Sequence, residues 1–366
     1  MKFRCEREEL AEALGLAQRA TSPRPPTPIL SCLRLQLIGN QLTVTGSDLF
    51  LTITSVITVG GEVDGVAVLP AKLITEIVRS FDSGAVEIDT HFEDGRARIS
   101  SGRSNFECNM SPAEEYPSLP DLDGEGITLG AGDLAEGLRQ VVKAASNDES
   151  RPILTGVLLT TEGTGLRMVS TDSYRLAVRD LPGTTQLPEG EKVIVPSRAL
   201  NELARFLNED DEVTLTLSQR DVSFEVGGLR LSTKLIEGEF PNYRNLIPDA
   251  QPNRLVVDRS VLLAAVKRVR LMARDPNTPI RLTMAADSLE LRAQTPDVGE
   301  ASEEMDANYA GDELEVAFNP EYLIDGLEVT PGDEVSLETV DGLKPALLRP
   351  VDSNDFLYLL MPVRVT

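Results

Sequence analysis

Side chains able to do covalent or acid–base chemistry are few in this sequence, and their spacing gives them little to work with. The one histidine, His91, ends a strand-like run, where a surface or turn role fits better than general-base work. No GxxxxGK[ST] phosphate loop and no HExxH pair occurs. Thr171-Asp172-Ser173 sets hydroxyls beside a carboxylate but supplies no base to activate them. The run Glu209-Asp210-Asp211-Glu212 could draw a cation. Contiguous carboxylates between a helix and a strand read instead as a solvated turn, because a metal cage needs ligands converging from separate positions. Cys5, Cys32 and Cys108 form an odd, scattered set with no CxxC pair, as expected of small core residues in a reducing compartment. The expectation is a protein with no catalytic residues, no metal and no cofactor.

The polar residues that do keep a pattern are cations. Lys72 and Arg79 stand seven apart, on one face of a helix, and Arg198 and Arg205 repeat that spacing further along. Arg19, Arg139, Lys143, Lys267, Arg268 and Arg270 fall on other helical stretches. Taken singly, each fits ordinary helix solubility and pairing, such as Lys72 with Glu76. Their recurrence favours a shared basic face. The third occurrence departs, because Glu321 and Glu328 stand where Arg198 and Arg205 would align. These cations belong to a chain with 35 Lys+Arg against 59 Asp+Glu, a net charge of −24. Such a field repels nucleic acid, so any contact with it must be local, weak or topological.

The elements that carry these residues recur. Thr27-Pro28-Ile29-Leu30, Arg151-Pro152-Ile153-Leu154 and Thr278-Pro279-Ile280-Arg281 each precede a strand-like run, with prolines 124 and then 127 apart (152−28 and 279−152). Glu115-Tyr116-Pro117 returns as Glu239-Phe240-Pro241, and Leu69-Pro70-Ala71-Lys72 as Val195-Pro196-Ser197-Arg198. A period of this length is a small domain rather than a solenoid turn. The 366 residues therefore read as three α+β domains, over 1–122, 127–249 and 253–366.

Each third opens on a helical pattern: Leu10, Ala13, Leu14, Ala17; Leu134, Leu138, Val141, Val142; Leu262, Leu263, Val266, Val269. Asp133 and Ser260 are placed to cap the second and third of these. Alternating strands follow, then a second helix opened by proline, expected over 70–81, 196–207 and 320–327, then further strands. Linkers are expected at 120–126 and 247–253, which are acidic and rich in turn formers. The charged start leaves no room for a signal peptide, and no apolar run could span a bilayer. A soluble, cytoplasmic chain without membrane contact is expected. At the end, 356–360 reads as a strand, and Val363-Arg364-Val365 after Pro362 as an exposed segment beside a groove.

The three-fold repeat, Pro28-Ile29-Leu30, Ser101-Gly102-Arg103-Ser104 with Phe106, Thr171-Asp172-Ser173-Tyr174-Arg175-Leu176-Ala177, Phe240-Pro241-Asn242-Tyr243-Arg244 and Met361-Pro362-Val363-Arg364 together resemble the bacterial DNA polymerase III beta subunit family, the sliding clamps. The resemblance covers the whole chain. It implies three clamp domains, each two helices packed on antiparallel sheets, and a head-to-tail homodimer forming a ring around duplex DNA. It further implies that Arg24, Lys72, Arg198 and Arg205 face the DNA backbone, without sequence readout. A cleft for short linear motifs of the replicative polymerase, the clamp loader and repair proteins is implied at Leu154, Thr171, Ser173, Tyr174, Arg175, Leu176, Pro241, Asn245, Leu246, Met361, Pro362 and Val363. Three departures stand out: Tyr174 replaces a common histidine, Asn245 a frequent arginine, and Thr366 extends past the usual end. A clamp paralogue or decoy that binds the same partners is the alternative reading.

A head-to-tail ring needs two complementary edges. The first third offers Arg96, Arg98 and Arg103 with apolar Phe106. The last offers Glu300, Glu303 and Glu304 with Leu271 and Met272. These are expected to meet, basic against acidic.

Overall fold

The computed structural model describes residues 1–22, 25–90, 95–118, 126–163, 165–183, 187, 191–248, 250–273 and 278–364. Its helices are α1 (Arg7–Gln18), α2 (Ala71–Ser80), α3 (Ala131–Val142), α4 (Ser197–Leu203), α5 (Arg259–Val269) and α6 (Pro320–Val329). Among the described residues every strand pair is antiparallel.

Two long sheets run across the boundaries of the sequence repeat. In the first, the second repeat's Glu212–Leu217, Asp221–Val226 and Leu229–Lys234 continue into the first repeat's Leu51–Thr58, Gln41–Ser47 and Cys32–Ile38. In the second, Gly156–Glu162, Gly165–Thr171 and Arg175–Leu181 continue into the third repeat's Phe356–Leu360, Ala346–Pro350 and Glu334–Thr339. Because strand pairing bridges the repeats, the compact bodies are two. One is Met1–Gly132 with Arg205–Leu235, the other Asp133–Ala204 with Ile236–Thr366. Each also holds a smaller sheet, of five strands ending at Ser104–Asn109 and of four strands ending at Gly299–Asp306.

The core of the first unit forms where α1 and α2 lay their apolar stripes on sheet faces. Leu10, Ala13, Leu14 and Ala17, spaced for one helix face, are all at most 1% exposed. They pack with Leu33, Leu35, Leu37, Ile74 and Val78. In the second unit α5 packs on α6, and α6 lies against the Phe356–Leu360 strand, where Gly326 makes room for the Tyr358 ring.

Helix ends depart from expectation. Pro70 and Pro196 are the last residues of strands and precede their helices; only Pro320 sits in a first helical turn. The second of these helices ends at Leu203, so Arg205 lies past its end rather than on the face of Arg198. The α5 cap is Asp258, whose carboxylate accepts from the Val261 N–H at 2.9 Å; Ser260 donates its hydroxyl to the same carboxylate instead of capping. Those two contacts, the Ser260 hydroxyl first, hold the Asp258 carboxyl below its ordinary value. Residues 356–360 form the expected strand, fully buried. Val363 beyond it is half-buried and tied down, its N–H donating to the Ala317 carbonyl at 2.8 Å, while Arg364 is exposed. His91, Arg24, Val365, Thr366 and 120–125 of the expected linker lie outside the described residues.

Candidate functional site

The Thr171-Asp172-Ser173-Tyr174-Arg175 run forms the turn between two central strands of the second unit. Asp172 shapes it: one carboxylate oxygen accepts from the Tyr174 and Arg175 N–H groups at 2.8 and 3.0 Å. Thr171 donates to the Arg175 carbonyl at 2.6 Å and accepts from the Ser173 N–H. This wrapping holds Ser173 at φ +83, a left-handed conformation that a residue with a Cβ rarely takes. The result pushes Tyr174 outward, 59% exposed, with its ring stacked on Tyr322 at 6.5 Å.

Arg175 turns inward. Its guanidinium meets Asp172 at 3.0 Å, Asp325 of α6 at 2.6 Å and the Tyr358 hydroxyl at 3.2 Å, and lies 4.5 Å from the Tyr322 ring centre. Burial opposes its charge, but Tyr358, Asp325 and Asp172 outweigh burial and hold its pKa above the ordinary arginine value. Burial likewise raises the Tyr358 hydroxyl. Arg175 is therefore a fixed strut between turn, helix and terminal strand rather than an exposed contact residue.

Around this turn lies an apolar floor of Leu158, Val169, Leu176, Val178, Leu357 and Leu359. Half-buried Ile153, Ile236, Phe240, Ile247 and Met361 pack against it. Of the residues expected here, Leu154, Thr171, Arg175 and Leu176 are buried, whereas Ser173, Tyr174, Pro241, Asn245 and Leu246 are exposed. Met361, Pro362 and Val363 are half-buried, and the Met361 N–H donates to the Tyr174 carbonyl at 2.9 Å, fixing the terminal segment to the turn. Motif reading missed Ile153, Ile236, Phe240 and Ile247. Two of them were already in the repeat markers, Ile153 in Pro-Ile-Leu and Phe240 in Glu-Phe-Pro. A site like this takes up apolar side chains, each worth about 1.5–3 kcal/mol when fully buried.

The cations are less uniform than their spacing suggests. Lys72 is exposed and 3.9 Å from Glu76. Arg79 of the same helix reaches over α1, where Gly15 leaves space for its guanidinium; a Cβ there would lie 2.4 Å from it. Arg198 and Arg205 are exposed. Lys143 and Lys267 both meet Glu328, at 2.8 and 2.9 Å, Arg270 pairs with Glu321, and Arg268 pairs with Glu303. The Lys143 and Lys267 contacts hold the Glu328 carboxyl below its ordinary value. The carboxylates of α6 thus neutralise cations in the last turn of α5 and just past the ends of α3 and α5, so the third repeat's second helix supplies acidic partners where the first two carry cations.

The two expected edges are both outer strands. Ser104–Asn109 ends the five-stranded sheet with Phe106 40% exposed and 5.6 Å from Phe81; Arg96 and Arg98 meet Glu107, and Arg103 is exposed. Gly299–Asp306 ends the four-stranded sheet with Glu304 exposed, while Glu300 pairs with Arg292. Leu271 is 72% exposed beside it, and the half-buried Met272 brings its methyl to 3.1 Å from where a Cβ on Gly299 would stand.

All three cysteines are buried and unbridged, and burial pushes the Cys5 thiol up to about 12, away from reactivity. Among the described residues no group of three or more His, Cys, Asp or Glu converges as a metal site would require, and no helix is long and apolar enough to cross a membrane.

Comparison with known proteins places this architecture. Family models for the N-terminal, central and C-terminal domains of the DNA polymerase III beta subunit match residues 1–120, 128–242 and 244–364. The beta sliding clamp of Streptomyces coelicolor is 36% identical over 379 residues, and that of Synechocystis 33% over 389, each covering 100% of both chains. Among solved structures, the sliding clamp from Bacillus subtilis superposes with a TM-score of 0.95 at 30% identity, covering 100% of both chains. A clamp from Pseudomonas aeruginosa bound to griselimycin superposes at 0.94, also at 30% identity and 100% coverage of both. Matched over its full length by all three domain models, the chain belongs to the DNA polymerase III beta subunit family, the non-catalytic sliding clamps of DNA replication.

Proposed function

We propose that two copies of this chain close head to tail into a ring that holds duplex DNA by encirclement, and that the ring tethers the replicative polymerase, the clamp loader and repair proteins. The observation that carries this reading is the pair of exposed outer strands, Ser104–Asn109 and Gly299–Asp306. An open sheet edge offers unpaired N–H and C=O groups, and mutual pairing removes the liability. In the ring, Arg96, Arg103 and Phe106 of one copy face Leu271, Met272, Glu300, Glu303 and Glu304 of the other. Ion pairs already made within each edge leave exposed Arg103 and Glu304 as the charges that discriminate the partner.

Arg24, Lys72, Arg198 and Arg205 face the phosphate backbone. The peptide cleft comprises the apolar floor with Leu154, Thr171, Ser173, Tyr174, Pro241, Asn245, Leu246, Met361, Pro362 and Val363 at or near its rim, and Arg175 and Leu176 holding it from within. The domains run over 1–122, 127–249 and 253–366. The protein works in the cytoplasm and turns over no substrate.

Retention on DNA tests the ring. After loading by an ATP-driven loader onto nicked circular duplex, the protein should stay bound through gel filtration at high salt, and linearising the circle should release it. Direct binding to linear duplex should be weak and should fall steeply with salt, as counterion release requires. Equal retention on circular and linear DNA with open ends would mean adhesion rather than encirclement.

A further inference from the structure

The repeat gives the apolar floor a counterpart of opposite chemistry. In the second unit Leu158, Val169, Val178 and Leu357 lie directly across from one another on four adjacent strands. The corresponding row in the first unit, 124 residues earlier for the first three and 127 for the last, is Arg34, Thr45, Thr54 and Arg230. In the next row, Leu176 and Leu359 become Thr52 and Ser232.

The walls, however, are kept. Asp48 accepts from the Phe50 and Leu51 N–H groups at 3.0 and 2.8 Å, as Asp172 does for Tyr174 and Arg175, and Leu49 takes φ +76 where Ser173 takes +83. Tyr116-Pro117 stands where Phe240-Pro241 stands in the other copy. Together these enclose a cavity of about 600 Å³, the size of a ligand site.

We propose that this cavity binds an extended acidic peptide segment with two carboxylates four residues apart and an adjacent apolar side chain. Arg34 and Arg230 are separated by three strand spacings, about 14 Å, and four residues of extended chain span about 13 Å. Between them the floor offers hydroxyls in pairs, Ser47 with Thr52 at 2.8 Å and Thr45 with Thr54 at 3.4 Å. When the buried Ser47 and Thr45 donate, the half-buried Thr52 and Thr54 keep their own protons to give to a carbonyl or carboxylate of the ligand.

Lys234 lies 5.5 Å over the exposed Phe50 ring, adding a third cation beside an apolar platform made with Leu49. In a chain of net charge −24, three cations thus meet at one cavity. Glu114 and Asp221 also line the cavity, and Glu225 ion-pairs with Arg230 at 2.7 Å without hydrogen-bond alignment, so the peptide must compete for that guanidinium and binds weakly. The choice of a peptide rather than a small anion rests on the peptide reading of the apolar cleft; the preference for negative charge rests on the floor alone.

The test is fluorescence anisotropy at low salt with the full chain and a labelled Glu-Ser-Gly-Ser-Glu-Leu peptide. Saturable binding is expected, lost when both glutamates become glutamine and weakened at least tenfold by Arg34→Gln or Arg230→Gln. Thr54→Val, which keeps the side-chain shape, should weaken it several-fold and guards against misfolding of the arginine variants. Deleting 361–366 should leave it unchanged while abolishing binding of an apolar polymerase-derived peptide, which separates the two sites. Four results would each overturn the proposal: no saturation, equal binding by both arginine variants, displacement by equimolar inorganic pyrophosphate, or loss on the terminal deletion. Should the apolar peptide fail to bind the intact chain while the acidic one binds as described, the cleft reading fails and this one stands.

Discussion

Two turns 124 residues apart, 47–51 and 171–175, share nearly every backbone hydrogen bond, yet the sheet faces beside them share almost no chemistry. Asp48 and Asp172 each gather two N–H groups, and Leu49 and Ser173 are both held left-handed. The faces beyond them read Arg34, Thr45, Thr54, Arg230 in one unit and Leu158, Val169, Val178, Leu357 in the other. Backbone geometry here is set by two side chains at the turn, Ser47 and Asp48 in one unit and Thr171 and Asp172 in the other, whereas the floor is set residue by residue. A duplicated domain can therefore keep a site's shape while exchanging its ligand, because shape and chemistry are encoded at separate positions.

The sharpest way to break that comparison is at the last position of the turn, where the two copies differ in charge. Arg175 stands where the first repeat has buried Leu51. Replacing it, Arg175→Leu, leaves Asp172, 8% exposed, and the fully buried Tyr358 hydroxyl without their cationic partner. A cost of about 3–5 kcal/mol is expected, since the surviving carboxylate remains buried. Urea unfolding should read this as a lower midpoint; a loss below about 1 kcal/mol would mean the strut is dispensable and the two turns are interchangeable.

Exchanging floor residues tests the other half. Val178→Thr places a hydroxyl among Leu158, Val169 and Leu357 and should cost about 1–3 kcal/mol. The reverse change at the matching position, Thr54→Val, gives up only a 3.4 Å contact to Thr45 on a half-buried face. It should fall within about 0.5–1.5 kcal/mol of the parent. Equal costs for the two would show that the faces differ less than their composition suggests.

Much of this was legible beforehand. The helix stripes and the strand alternation are local patterns, and the period of the proline markers revealed three repeats. What could not be read was pairing between repeats: nothing in Leu229–Lys234 or Phe356–Leu360 names the strand it will join, and that pairing produces two compact bodies from three repeats. The neutralisation of Lys143 and Lys267 was hidden for the same reason, because Glu328 is far away in sequence and near only in the fold. Arg175 looked like a contact residue because motif membership says nothing about which way a side chain turns. The turn itself did have a signal that went unused, a hydroxyl residue recurring at Ser47, Thr171 and Thr295, two positions before each left-handed residue.

That third occurrence supplies the smallest test. Among the described residues the non-glycine positions with left-handed φ are Leu49, Ser173 and Asp297, at +76, +83 and +63, one at the same place in each repeat. A left-handed residue with a Cβ costs about 1–2 kcal/mol, whereas glycine there loses about 0.5–1 kcal/mol in chain entropy. Leu49→Gly and Ser173→Gly should each therefore stabilise by up to about 1 kcal/mol. Asp297→Gly should gain least, because a short polar side chain tolerates this conformation best. Leucine has no such tolerance and should gain most. Urea midpoints for the three variants should follow the order 49, 173, 297. If glycine destabilised position 49 while stabilising 173, the turns would owe their shared shape to different causes, and the likeness between the two sites would end at the backbone.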